Sequence, residues 1–282
     1  MSESSKVFSP VVRGLAVHYL AKAVQWKTIG VFVAAISLLS ISMLMLIIGS
    51  LPWAIVLLNS LAFYLLYIVM HDATHDAIFK SKRANTLLGH LTVFLFHPGF
   101  AFETFKMIHL RHHYFTNELD RDPDVWANSR FKLLLPIKWM TTDLGYMLYT
   151  LKYWYKLSRS AKVHQILQLG LFVIIVLWII QGPLLGSFLV FWIIPFRIAL
   201  FFLTLFLDYL PHVPYRHTQR RKPFGATRIM QSRVDTLLFW VMLGQNYHLS
   251  HHLFPDLPFF ATKEIWDQIE PSTKNEVTKT HS

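Results

Sequence analysis

Residues 30–75 read GVFVAAISLLSISMLMLIIGSLPWAIVLLNSLAFYLLYIVMHDATH. No charged side chain occurs from Gly30 to Met70, and His71-Asp72-Ala73-Thr74-His75 follows directly. A helix rises 1.5 Å per residue, so crossing a bilayer takes roughly 20 apolar residues. The stretch is long enough for two crossings, 30–48 and 53–70, with Gly49, Ser50 and Pro52 at the turn. A second hairpin is expected over 165–181 and 184–207. Its turn is Gln181-Gly182-Pro183, and its only charge is Arg197.

Working outward, the composition agrees with lipid as solvent. The 282 residues are 54% hydrophobic and 15% charged, against about 45–50% and 25% in soluble domains. The expected fold is all-α: an integral membrane protein with four transmembrane helices in two hairpins. A cytoplasmic segment, 1–28, precedes a membrane domain, 29–260, and a cytoplasmic tail, 261–282, follows it. The apolar run starts too late for a signal peptide, and no small-residue cleavage site follows.

Between the hairpins, residues 87–102 are apolar but short and interrupted by Pro98-Gly99, which suits a shallow or re-entrant segment. Residues 133–155 mix Trp139, Tyr146, Tyr149, Trp154 and Tyr155 with Lys138, Asp143 and Lys152. That pattern predicts an amphipathic interfacial helix.

The net charge is +11. Both hairpin turns lack Lys and Arg, whereas the other segments are rich in them. The positive-inside rule therefore places the N-terminus, 71–165 and the C-terminal segment on the cytoplasmic side, at the inner membrane in a bacterium. No basic helix or RNA-binding signature accompanies the charge, so no nucleic-acid partner is expected.

There is no cysteine and there are 15 histidines. Any metal must be held by His, Asp, Glu or Asn. In the first box, His71 and His75 stand at i and i+4, on one helix face. His109, His112 and His113 form a second box, and His248, His251 and His252 repeat its spacing. Eight imidazoles are too many for one ion and suit two. Imidazole accepts zinc, copper, iron or nickel, so ligand type alone leaves the metal open. Asp72 and Leu249 stand where a zinc peptidase would carry the general-base Glu.

His212, just after the last apolar run, is a ninth candidate ligand. Asp72, Asp122 and Asp124 are candidates to accept an imidazole N–H; a solvated turn at Asp120–Asp124 is the alternative reading. Asn246 could hold a metal-bound water. His90, inside an apolar segment, is either a buried structural histidine or a support for a ligand. His217 is expected to be structural, and His18, His164 and His281 incidental. His97-Pro98-Gly99 lacks the second Gly of a haem-binding His-Pro-Gly-Gly.

The order His-x-x-x-His, His-x-x-His-His, His-x-x-His-His, with membrane hairpins between, resembles the membrane fatty acid desaturase superfamily. The resemblance covers residues 30 to about 260 and implies two irons held by about nine histidines, with O2 as co-substrate. Asp208 to Pro258 is similar to the β-carotene ring hydroxylase branch, through Tyr209-Leu210-Pro211-His212, Arg228, Ser232-Arg233 and Gly244-Gln245-Asn246-Tyr247-His248-Leu249. Phe254 and Tyr215-Arg216-His217-Thr218 depart from that branch. The resemblance implies hydroxylation of a β-ionone ring at its 3-position. An acyl-lipid desaturase or hydroxylase is the alternative, and a non-enzymatic metal-binding or transport protein a third reading.

Such an oxygenase needs two external electrons per turnover. With no Cys and no Gly-x-Gly-x-x-Gly loop, an acidic ferredoxin-like donor is expected. Arg220, Arg221 and Lys222 are the candidate docking cluster, with Lys80, Lys82, Arg83, Arg216, Arg228 and Arg233 adding to the positive face. Contact with anionic lipid is the alternative role for these charges.

Overall fold

The computed structural model describes residues 10–269; His281 lies outside them. Helix α1 (Pro10–Ala21) leads to a first hairpin, α2 (Trp26–Ile47) and α3 (Pro52–Thr74). A shorter pair follows, α4 (Lys82–Phe96) and α5 (Phe102–Phe115), then α6 (Leu135–Met140) and α7 (Thr142–Lys152). The second hairpin is α8 (Arg159–Ile180) and α9 (Leu185–Tyr209). Short helices α10 (Asp235–Val241), α11 (His248–Leu253) and α12 (Thr262–Gln268) complete the described chain. No strand occurs among the described residues beyond an isolated bridge between Val24 and Phe79.

The four long helices, α2, α3, α8 and α9, are long and apolar enough to cross a membrane. At 22 residues, α2 is about 33 Å long, enough for a hydrocarbon core of about 30 Å. Gly49 ends it in the left-handed region, φ 68°, and Pro52 starts α3, where its missing N–H costs nothing. α3 is the central helix. Its apolar window is 56% buried within the protein, against 11% for α2 and 6% for α8, whose sides face outward.

Polar atoms inside lipid must find partners within the protein. Asn59 on α3 donates to the Phe191 carbonyl, 2.6 Å away, and bonds Ser42 of α2. Phe191 lies in a π-helical turn of α9, Leu189–Ile193. Around this link, Phe63, Phe96 and Phe196 meet edge to face with centroids 5.2–6.4 Å apart.

α4 has 15 residues, about 22 Å, too short to cross a bilayer. The chain turns over 97–101 and returns as α5. The single amphipathic helix expected over 133–155 is instead broken between α6 and α7. The cause is a diverted acceptor: Arg197 takes the Met140 carbonyl at 2.8 Å, and the Leu144 N–H turns to the Thr141 carbonyl.

A second core lies around α1, α11 and α12, with Val12, Ala16, Leu249, Leu253, Ile265 and Trp266 buried in it. Tyr19 of α1 donates to Glu264 of α12. The folded core thus extends past residue 260 into the segment expected as a tail, because Ile265 and Trp266 supply apolar surface for Leu249 and Leu253. α11 is held from behind by this apolar face and presents its histidines on the other.

Candidate metal centre

Three helices and one loop aim imidazoles at a common point. The last turn of α3 carries His71, and His75 follows at its end. α5 carries His109, His112 and His113, and α11 carries His248, His251 and His252. α9 ends in a second π-helical turn, Thr204–Tyr209, that delivers His212. The nine form two groups. His71, His75, His109, His113 and His251 make one, and His112, His212, His248 and His252 the other. Within each group the ligand atoms lie within 4.8 Å of one another.

The first box stays together in the first group, but the second and third boxes are each divided. Along a helix, i and i+4 lie about 40° apart on one side and i+3 about 60° to the other. His109 and His113 therefore enter the first group while His112 enters the second. On α11, His248 and His252 enter the second group and His251 crosses to the first.

The Nε2 atoms face inward. In the first group His75–His109, His109–His113, His113–His251 and His251–His71 are separated by 2.8, 3.1, 3.0 and 3.1 Å. In the second, His212–His248, His248–His252 and His252–His112 are separated by 2.9, 3.0 and 3.2 Å. Several Nδ1 atoms face outward to acceptors. His112 reaches Asp122 at 2.9 Å and Asp124 at 3.1 Å. His71 reaches Asp72 at 3.4 Å, His212 reaches Asn117 Oδ1 at 3.3 Å, and His248 bonds Gln245 Oε1.

At His71, His112, His212 and His248 the outer acceptor fixes the proton on Nδ1 and leaves the Nε2 lone pair facing the other imidazoles. A cation between them removes that repulsion. The inward-facing nitrogens, 2.8–3.2 Å apart around each group, stand where ligands sharing one ion would. The residues fit two metal ions.

Electrostatics favour the ligand form. Burial, followed by neighbouring imidazoles, pushes His109, His113, His248, His251 and His252 well below the ordinary histidine range. They are neutral, as ligation requires. His112 differs: burial works against it, but the Asp124 and Asp122 carboxylates raise it to about 9. Those carboxylates make it the more basic donor.

Asp122 is itself fixed, accepting from the Asn117 and Asp124 amides at 2.6 and 2.9 Å. Asn117 adopts the left-handed region, φ 64°, which Asn tolerates. Its side chain links His212 to the loop above by donating to the His217 and Ala226 carbonyls. Asp72 accepts from Thr28 and from the Phe259 amide, tying α2, α3 and the third-box region together.

Other sequence candidates lie elsewhere. Asn246 is buried but donates to Met230 O and Asp235, and its neighbour Gln245 takes the place at His248. The turn Gln245–Tyr247 rotates adjacent side chains apart. His90 meets Glu103 and His164 rather than the nine histidines, because α4 faces it toward the start of α5 and toward α8. Asp120 is exposed. Arg220, Arg221 and Lys222 are exposed in a loop joined to α5 by the Gln219 amide, which donates to Thr116 O.

Beside the histidines lies an apolar cavity of ≈ 40 Å³, walled by Tyr67, Met70, Phe96, Phe105, Phe196 and Leu203 among others. The Tyr67 ring stacks on His71, and Phe105 stacks on His109 with centroids 5.9 Å apart. Asp208, buried on the π-helical turn, also lines the cavity. Tyr146 in the same wall donates to Asp124 at 2.8 Å. Sequence reasoning passed over Asn117, Gln245, Tyr146 and Asp208 as site residues. A buried carboxylate four residues before His212 was the available signal.

The fatty acid desaturase family model matches residues 48–281, and the chain belongs to that family. The family's proteins are membrane enzymes that depend on two irons. The chain is 28% identical over 224 residues to dihydrorhizobitoxine desaturase of Bradyrhizobium elkanii, covering 68% of this chain and 60% of that one. It is 24% identical over 235 residues to sn-1 oleoyl-lipid 12-desaturase of Anabaena variabilis, covering 72% and 64%. It is 28% identical over 205 residues to β-carotene ketolase of a Paracoccus species, covering 69% and 71%. The chain thus spans less than two thirds of the length of the two desaturases.

Proposed function

We propose that the protein is an O2-dependent di-iron oxidoreductase that hydroxylates a carotenoid, in the manner of a β-carotene 3-hydroxylase. The observation that carries this reading is two groups of inward-facing imidazoles set against an apolar cavity. The five-histidine group would hold one iron and the four-histidine group the other. Bound there, the irons would supply oxygen activation and oxidation of an unactivated C–H bond. The protein's own part is to orient: Asp122, Asp124, Asn117 and Gln245 fix imidazole rings, while Tyr67, Phe105 and Phe196 exclude water and guide an apolar substrate. Electrons come from an external ferredoxin-like protein at the cytoplasmic face, a reading supported by the positive-inside distribution of Lys and Arg in the sequence. Similarity to a β-carotene ketolase and the stretch Asp208–Pro258 support a carotenoid ring as substrate.

A second reading, acyl-lipid desaturation or hydroxylation, draws on the similarity to sn-1 oleoyl-lipid 12-desaturase. Expression in β-carotene-producing cells, with pigment and fatty acid analysis, tests both. A ring hydroxyl is expected. A keto product retains the substrate class and overturns hydroxylation. A new double bond in acyl chains with unchanged pigment selects the second reading. No change in either, with iron-loaded protein in the membrane, overturns both.

A further inference from the structure

A third cluster of ligand-type side chains lies apart from the nine histidines. His90 of α4, Glu103 at the start of α5 and His164 of α8 bring one ligand atom each within 4.8 Å of the others. Glu103 Oε1 is 3.3 Å from His90 Nε2 and 2.8 Å from His164 Nδ1. The two rings stand nearly perpendicular, 81°, with centroids 5.9 Å apart. Oε2 of the same carboxylate is buried without a partner.

Hydrogen bonds alone account poorly for this arrangement. Both imidazoles would spend an N–H on one oxygen while the other buried oxygen stayed unsatisfied, which is costly. A divalent cation among the three would instead take a lone pair from each ring and both carboxylate oxygens. Two imidazoles and a carboxylate are a ligand set for zinc-class transition metals, with water in the remaining positions. An open depression lined by His90, His164, Leu167, Gln168 and Leu171 gives that water access. Burial works against the Glu103 anion, yet bonds from His90, from its own backbone amide and from His164 hold the carboxyl down at about 2.

We propose that His90, Glu103 and His164 form a separate site for one divalent transition metal ion, which clamps α8 to the start of α5. α8 is the least buried of the four spans. Next to His164, Gln165 already ties it to the 97–103 turn, accepting from the Ala101 amide at 3.0 Å and donating to Gly99 O at 2.8 Å. An ion on His164 would add a third, stronger tie at the same point. The proposal is independent of what the nine histidines bind or do.

The test uses full-length, iron-loaded protein in detergent, dialysed against zinc and then metal-free buffer. Wild type should retain one zinc beyond its iron, with iron content unchanged and a thermal midpoint raised by zinc. His164→Ala should lose the extra zinc and the zinc-dependent shift while keeping its iron. His164 is the most exposed of the three, at 46%, so this variant should fold. Glu103→Gln, similar in shape, should also lose the ion. Wild type that takes up no zinc beyond its iron overturns the proposal, as does a His164→Ala protein that binds the extra zinc as wild type does.

Discussion

His112 and His113 are adjacent in sequence, yet their imidazoles enter different groups, with centroids 5.6 Å apart. His112 joins His212, His248 and His252, while His113 joins His71, His75, His109 and His251. One helical step of about 100° produces the division.

Single replacements should therefore act on different ions. His112→Ala should strip metal from the four-histidine group, and His71→Ala or His251→Ala from the five-histidine group. Each should abolish turnover and lower iron from two per chain toward one. Asp122→Asn should be milder, with a loss of roughly 10–100-fold in metal affinity for a support that orients a ligand. Iron analysis alongside turnover checks both; a His112→Ala protein with full iron and full activity would falsify this ligand set.

Gly244→Ala should disturb the third box from a distance. Gly244 has φ 77°, and an added Cβ would stand 2.4 Å from the Phe259 carbonyl oxygen. Two costs combine: a left-handed conformation, about 1–2 kcal/mol for a residue with a Cβ, and a clash with backbone that cannot turn aside. The segment leads directly into Gln245 and His248, so reduced iron retention and a lower thermal midpoint are expected. Wild-type values for both would show that this turn relaxes freely.

Asp143→Asn should destabilise the protein, and a matching change at Arg197 should restore much of the loss. The carboxylate receives two bonds from Arg197, 2.7 and 2.8 Å, and faces His97 at 3.5 Å. Breaking a buried pair costs about 3–5 kcal/mol, and the low end applies because Arg197 keeps 27% exposure. Asp143→Leu with Arg197→Leu leaves no lone charge and should be more stable than either single change. Burial opposes ionisation of Asp143, but His97 and Arg197 hold its carboxyl at about 2 against an ordinary 3.8. A depressed carboxylate stabilises above its unfolded value, so this contribution is complete above pH 3.8 and fades as pH falls toward 2. Thermal unfolding in detergent across that window, compared with the double variant, gives the sign.

Reversing Arg220, Arg221 and Lys222 to Glu should slow ferredoxin-supported turnover at limiting donor and flatten its salt dependence. Steering by opposite charge raises on-rates by about 10–1000-fold at low salt. The loop is well placed for this. It is tied to Thr116 and Asn117, whose side chains touch the outer nitrogens of His252 and His212. An unchanged rate with normal membrane insertion would assign the cluster to lipid contact.

The sequence by itself determined the membrane helices, because the backbone of the uncharged stretch from Gly30 to Met70 can be satisfied in lipid only as helix. It also determined which histidines could meet, since i and i+4 share a face whatever surrounds them. All nine converge, including His212. Tertiary structure alone decided how they divide, because box spacing fixes relative direction within a helix but not what stands opposite. It decided that Gln245 rather than Asn246 supports His248, through the rotation of one tight turn. It broke the helix expected over 133–155, where Arg197, 57 residues away in sequence, captured a carbonyl that local hydrogen bonding would have used. It carried His90 to Glu103 and His164, since the packing of α4 on α5 and α8 is set by side chains that no local pattern relates.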